Sequence, residues 1–142
     1  FLELSSIAKG IEAADAMLKA AEVRLIMAKA SCPGKYYILI TGDVAAVKSS
    51  VEAGETIAKG FVIESTVIPR VHPQVIRAIS AEEIPEHANA IGIVEFMSVT
   101  SSIMCADAAV KAADRCKTRQ WNRRKVICDL NRRSGSGIRK CR

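Results

Sequence analysis

The stretch from Ile7 to Lys35, IAKGIEAADAMLKAAEVRLIMAKASCPGK, holds a helix, a strand and a turn in one run. Its first part is helical, because Ile7, Ile11, Ala14, Leu18 and Ala21 recur at a spacing that places them on one apolar face. Lys9, Glu12, Asp15 and Lys19 fall elsewhere, and Asp15 with Lys19 forms a favourable i,i+4 acid-to-base pair. Val23 to Ala30 reads as a strand. Ser31-Cys32-Pro33-Gly34-Lys35 then makes a tight turn with one cysteine at its tip.

On the N-terminal side, Phe1 to Ser5 reads as a strand and Ser6 as the helix N-cap. On the C-terminal side, Lys35 to Thr41 is an apolar strand stopped by Gly42, and Asp43 caps the next helix. That helix is expected to carry Val44, Val47, Val51 and Ala58 inward and to end at Gly60, a residue suited to the C′ position. Phe61 to Ile68 reads as a strand ended by Pro69, and Pro73 opens a short helix to Ile79. The predicted fold class is therefore α/β: strand-helix-strand-strand-helix-strand, a split β-α-β arrangement with helices on one face of an antiparallel or mixed sheet. The first domain is expected over 1–80, followed by a linker over 81–89 that contains Pro85.

The opening of this domain then recurs. Residues 93–99, IVEFMSV, align with residues 1–7, FLELSSI. Ile103, Ala106, Asp107, Ala108 and Lys111 align with Ile11, Ala14, Asp15, Ala16 and Lys19 at the same offset. A fixed offset across a strand and a helix indicates domain duplication. The match stops after Ala113, so residues 90–113 are read as a partial second domain and 114–142 as an aberrant basic tail without apolar periodicity. A one-nucleotide shift allows residues 121–134 to spell a close copy of residues 31–44, and residues 115–119 a copy of 22–26. This predicts a frameshift in the gene or the read.

Charge follows the same division. Residues 1–113 hold ten Lys/Arg and thirteen Asp/Glu, whereas 114–142 hold eleven Lys/Arg and two Asp/Glu. The overall charge of +6 thus comes from the tail alone. Five cysteines without C-x-x-C spacing or a signal-peptide pattern argue for a reducing cytosol and against a disulfide framework. No apolar run is long enough to span a bilayer. The chain opens without methionine on a strand-like segment, from which a few preceding residues are expected.

Residues 12–21 (EAADAMLKAA), 41–47 (TGDVAAV) and 67–72 (VIPRVH) resemble segments of the shell proteins of bacterial microcompartments. The resemblance covers residues 1–79 fully and 90–113 as a second copy. It implies a microcompartment domain, a ferredoxin-like split β-α-β variant. Two copies in one chain are similar to the tandem-domain subclass, whose members form trimers that mimic hexagonal tiles. Cys-Pro-Gly-Lys at 32–35 is similar to the iron–sulfur member of that subclass from propanediol-utilisation shells.

The resemblance implies a homotrimer in which Cys32 of three chains binds one [4Fe-4S] cluster at the central pore, for electron transfer across the shell. Ser31, Pro33 and Gly34 would line the pore beside Cys32. Lys19, its copy Lys111, and Arg70 would make lateral subunit contacts. Other shell proteins and a redox partner inside the compartment are the expected partners. The competing reading of Cys32 is a buried small hydrophobe, and the competing reading of each basic residue is a solvated charge.

The remaining residues carry no catalytic pattern. Cys105 is expected to pack in a core, His72 and His87 to be ordinary surface histidines, and Cys116, Cys128 and Cys141 to lack zinc spacing. No Ser/His/Asp set, carboxylate pair or phosphate loop is present, so no enzyme is expected. A tile with a small-molecule pore and no cluster is one alternative. A basic-tailed nucleic-acid-binding protein is another, disfavoured because the tail has Trp121 as its one aromatic. Neither nucleic acid nor membrane is an expected partner.

Overall fold

The structure is a computed structural model. It describes residues 1–80, 91–112, 116–122 and 125–130, with side chains for 1–80 and 92–112. The chain divides into two compact units, Phe1–Pro69 and Arg70–Arg142.

The first unit runs β1 (Leu2–Leu4), α1 (Ile7–Ala20), β2 (Arg24–Ser31), β3 (Lys35–Thr41), α2 (Val44–Ile57) and β4 (Val62–Ser65). The sheet order is β2-β3-β1-β4 with antiparallel pairs, so β3 lies between the two strands joined by α1. This is the expected split β-α-β layout. Leu2 and Leu4 from β1, Ile38 and Ile40 from β3, and Val47 and Val51 from α2 close the core around Met17. Ser6 caps α1 by accepting from the Lys9 backbone N–H at 3.4 Å. Asp43 holds the N-cap position of α2 but makes no side-chain cap bond.

Two details differ from the periodic reading. The buried residues of α1 are Gly10, Ala13, Ala14 and Met17, while Ile7, Ile11 and Leu18 are exposed. Close packing explains the choice. A Cβ on Gly10 would lie 2.4 Å from the Tyr36 side chain, and one on Gly54 of α2 would lie 2.6 Å from Met17 Cγ. A helix packed this close to β3 and α2 needs its small-residue face turned toward them, which turns the branched residues outward. Val44, expected to point inward, is likewise exposed. β4 is shorter than the apolar run from Phe61 to Ile68 that predicted it.

The second unit holds α3 (Pro73–Ile79), β5 (Ile91–Glu95), α4 (Val99–Ala112), β6 (Cys116–Asn122) and β7 (Lys125–Leu130). Here the structure corrects the sequence reading in two respects. First, α3 packs on α4 and β6 and so goes with the second unit, which moves the boundary from 80 to 69/70. Second, the stretch read as an aberrant basic tail without apolar periodicity contains two strands. β6 and β7 pair antiparallel and join β5 in a sheet of order β5-β7-β6, the same order as β1-β3-β2. The strand signal was the β-branched run Val126-Ile127 followed by Cys128 and Leu130. The linker expected at 81–89 and residues 131–142 lie outside the described residues.

Candidate functional site

The β2–β3 hairpin positions the candidate cysteine. Ser31 pairs with Lys35 at the end of the ladder, leaving Cys32, Pro33 and Gly34 as its three-residue tip. Gly34 takes φ +66, the left-handed conformation that glycine adopts without Cβ cost. The Cys32–Pro33 peptide is cis. Cys32, Pro33 and Gly34 are all exposed, and the Cys32 thiol is free. The reading of Cys32 as a buried hydrophobe is therefore excluded.

The tip stands on a well-fixed base. Lys35 Nζ lies 2.6 Å from Glu3 Oε1, a carboxylate only 6% exposed. Tyr36 fills the space over Gly10, and the Tyr37 ring stacks on Phe1 with centroids 6.0 Å apart. Three successive β3 side chains thus tie the start of the strand to β1 and α1, and a tied strand holds the turn in one place. Sequence reasoning missed this support. The signal was there in Glu3 and Lys35, two charges inside otherwise apolar strands.

The donor set fits one ligand of a shared site. Thiolate sulfur is the donor iron–sulfur clusters use, and Cys32 offers it to solvent from a turn. Among the described residues no group of three His, Cys, Asp or Glu could hold a metal ion within one chain. With the thiols of the described residues alone, a multi-thiolate site built on Cys32 would draw on more than one copy.

The expected contact residues separate into two settings. Lys19 pairs with Asp15 at 2.6 Å on α1, and both side chains are largely exposed. Lys111 pairs with Asp107 on α4 and also donates to the Arg70 carbonyl at 2.9 Å. Asp107 Oδ1 accepts the His72 backbone N–H at 2.8 Å. The structure therefore brings Arg70 and Lys111 together. His72 also serves the fold directly, because its Nδ1 accepts the Gln74 N–H at 3.2 Å and caps α3. Cys105 is half-buried. His87 and Cys141 lie outside the described residues, as do the side chains of Cys116 and Cys128.

Comparison with known proteins agrees with this architecture. A family model described as BMC domain matches residues 1–71. The bacterial microcompartment shell protein PduT of Citrobacter freundii is 46% identical over 113 residues, which take in 80% of this chain and 61% of that protein. The shell protein PduA of the same organism is 40% identical over 76 residues, or 52% of this chain and 82% of PduA. A solved microcompartment protein structure from Desulfitobacterium hafniense DCB superposes with a TM-score of 0.81 at 48% identity, covering 89% of this chain and 73% of that one. The split β-α-β sheet, its partial repetition and the match over residues 1–71 together place this chain in the BMC-domain family.

Proposed function

We propose that the chain is a structural tile of a bacterial microcompartment shell, located with the compartment in the cytoplasm, and that its pore carries a [4Fe-4S] cluster held by Cys32 of three copies. The observation that carries this reading is the exposed thiol at the tip of a braced hairpin, in a Cys-Pro-Gly-Lys turn. Likeness to shell proteins over most of the chain supports the tile. Two domains per chain make a pseudo-sixfold ring from three chains, and a threefold axis gathers three equivalent thiols.

When bound, the cluster supplies one-electron transfer. The chain's own residues present the thiolate from Cys32 and shape the pore wall with Ser31, Pro33 and Gly34. Three thiolates leave one iron for solvent or a non-cysteine ligand. The tile is not an enzyme. It joins other shell proteins at its edges and exchanges electrons with a redox partner inside the compartment.

The test is iron and acid-labile sulfide in anaerobically purified protein, with and without Cys32→Ser. Brown, iron-containing protein that loses both signals in the variant while the native mass persists supports the reading. Colourless protein from both chains reduces it to a tile with a small-molecule pore.

A further inference from the structure

The first strand of the repeat has different neighbours in its two copies. Phe1 and Leu2 are 4% and 0% exposed, whereas their counterparts Ile93 and Val94 are 62% and 42% exposed. In the first unit β4 closes the free side of β1. The Phe1 ammonium donates to the Thr66 carbonyl at 2.8 Å, the Thr66 N–H to the Phe1 carbonyl at 2.9 Å, and the Ser5 N–H to the Phe61 carbonyl at 2.8 Å. Helix α2 also packs on β1. In the second unit β5 pairs with β7 and, among the described residues, with no other strand. Helix α4 packs on β7 and β6 instead. By the repeat, Ile93 and Met97 hold the positions of Phe1 and Ser5, the residues whose backbone groups bond the β4 side, and Met97 is 85% exposed.

An open edge strand pairs with other strands unless charge or shape prevents it. Of the outer strands of the two described sheets, β2 carries Arg24 and Lys29, β4 carries Glu64, and β6 carries Lys117 and Arg119. Residues 91–94 of β5 hold no charge, and Glu95 is its last residue. β5 is thus the least protected of these edges.

We propose that β5 is a self-pairing edge: two copies of this chain join β5 to β5 antiparallel about a twofold axis at Ile93, making one six-stranded sheet from two three-stranded ones. Backbone pattern and charge both select a second copy as the occupant. Phe1 and Thr66 exchange both backbone hydrogen bonds, and the counterpart Ile93 is the middle residue of a five-residue strand. A twofold there lets the two Ile93 residues exchange the same two bonds with all of β5 in register. Antiparallel pairing also sets the two Glu95 carboxylates at opposite ends, where parallel pairing would place them side by side. An isologous contact of this kind closes at two chains. Five residues a side is far below the roughly 20–30 of a standard interface, so the dimer is weak and concentration-dependent. The proposal depends on neither the tile nor the cluster.

The test is light scattering on the full chain, kept reduced to exclude disulfides, from about 1 µM to about 1 mM. A mass that rises from one chain to two is expected. Each chain carries +6, so raising sodium chloride from about 0.05 M to about 0.5 M screens the mutual repulsion and should strengthen the dimer. Ile93→Lys sets two like charges opposite each other and should weaken dimerisation at least about tenfold, as should Ile93→Glu. An equimolar mixture of the two variants should recover the dimer, which variants that merely misfold would not do. Ile63→Lys, at an exposed apolar position of β4, should change nothing and is the control. Hydrogen exchange should show protection at residues 91–95 that grows with concentration. A single-chain mass throughout, a dimer that Ile93→Lys leaves intact, or a mixture no better than either variant would each overturn the self-pairing edge. A three-chain mass would favour the ring of the proposed tile and overturn it as well.

Discussion

Lys35 and Glu3 form a nearly buried ion pair beneath the cysteine turn, with Lys35 itself about one-fifth exposed. Removing one partner leaves the other charge without compensation, which costs far more than deleting both. Lys35→Met should therefore destabilise the first unit by about 3 kcal/mol in urea unfolding, and Lys35→Met with Glu3→Gln should recover much of that loss. An additive double variant would show that the pair is not coupled. Gly10 tests the close approach of α1 to β3. Alanine gains about 1 kcal/mol of helix propensity, but its methyl would sit 2.4 Å from the ring of Tyr36 and 2.5 Å from its Cβ, atoms too near the backbone to swing away. Gly10→Ala should be net destabilising by about 1–2 kcal/mol once overpacking is included. Gly54→Ala meets Met17 Cγ and Sδ, unbranched side-chain atoms that can rotate, and should cost less. Equal effects at the two glycines would contradict this reading of the packing.

Helix α4 shows what the repeat means at the level of elements. Ser98 Oγ accepts the Ser101 N–H at 3.4 Å, repeating the Ser6 cap of α1. The i,i+4 Asp–Lys pair is repeated too, yet only the second copy is used to hold a passing segment. Asp107→Ala should cost about 1–3 kcal/mol, since it leaves a part-buried backbone N–H of His72 without its acceptor and Lys111 without its carboxylate partner. Asp15→Ala, an exposed pair, should cost below about 0.5 kcal/mol. Thermal unfolding of the two variants measures the difference, and equal shifts would mean that Asp107 does not anchor the segment.

The strands of the first unit, the Ser6 cap, the cysteine turn and the start of α3 were legible because each is specified by residues within a few positions: Ser6 before an apolar helix, Pro-Gly between two strands, Pro73 at a helix start. The buried face of α1 was not, because it is selected by Tyr36 and α2, which lie far away in sequence. The second hairpin was obscured by its charge: Lys and Arg interrupt β6 and break the apolar alternation before the Val126-Ile127 run. The Arg70–Lys111 contact spans 41 positions and has no local signal. Cys32 as an exposed turn residue was read directly from its polar neighbours.

On the scale of the whole molecule, the chain carries one full BMC domain and a second unit whose three-stranded sheet repeats the order of the first without a fourth strand among the described residues. We infer that the basic composition beyond residue 113 reflects a shifted reading frame, which sequencing of the gene around codon 114 checks. In the proposed tile, a complete second domain would be what a three-chain ring needs, and the ring would be what collects the thiols. Cluster binding should therefore follow assembly steeply, because a monomer presents one pore thiolate. Iron and sulfide per chain, measured together with mass by light scattering on anaerobic protein, test the shared cluster in this chain and in the frame-restored chain. About one four-iron cluster per three chains is expected in the restored trimer, with little iron in any monomeric fraction. A monomer that holds a stoichiometric cluster would contradict it.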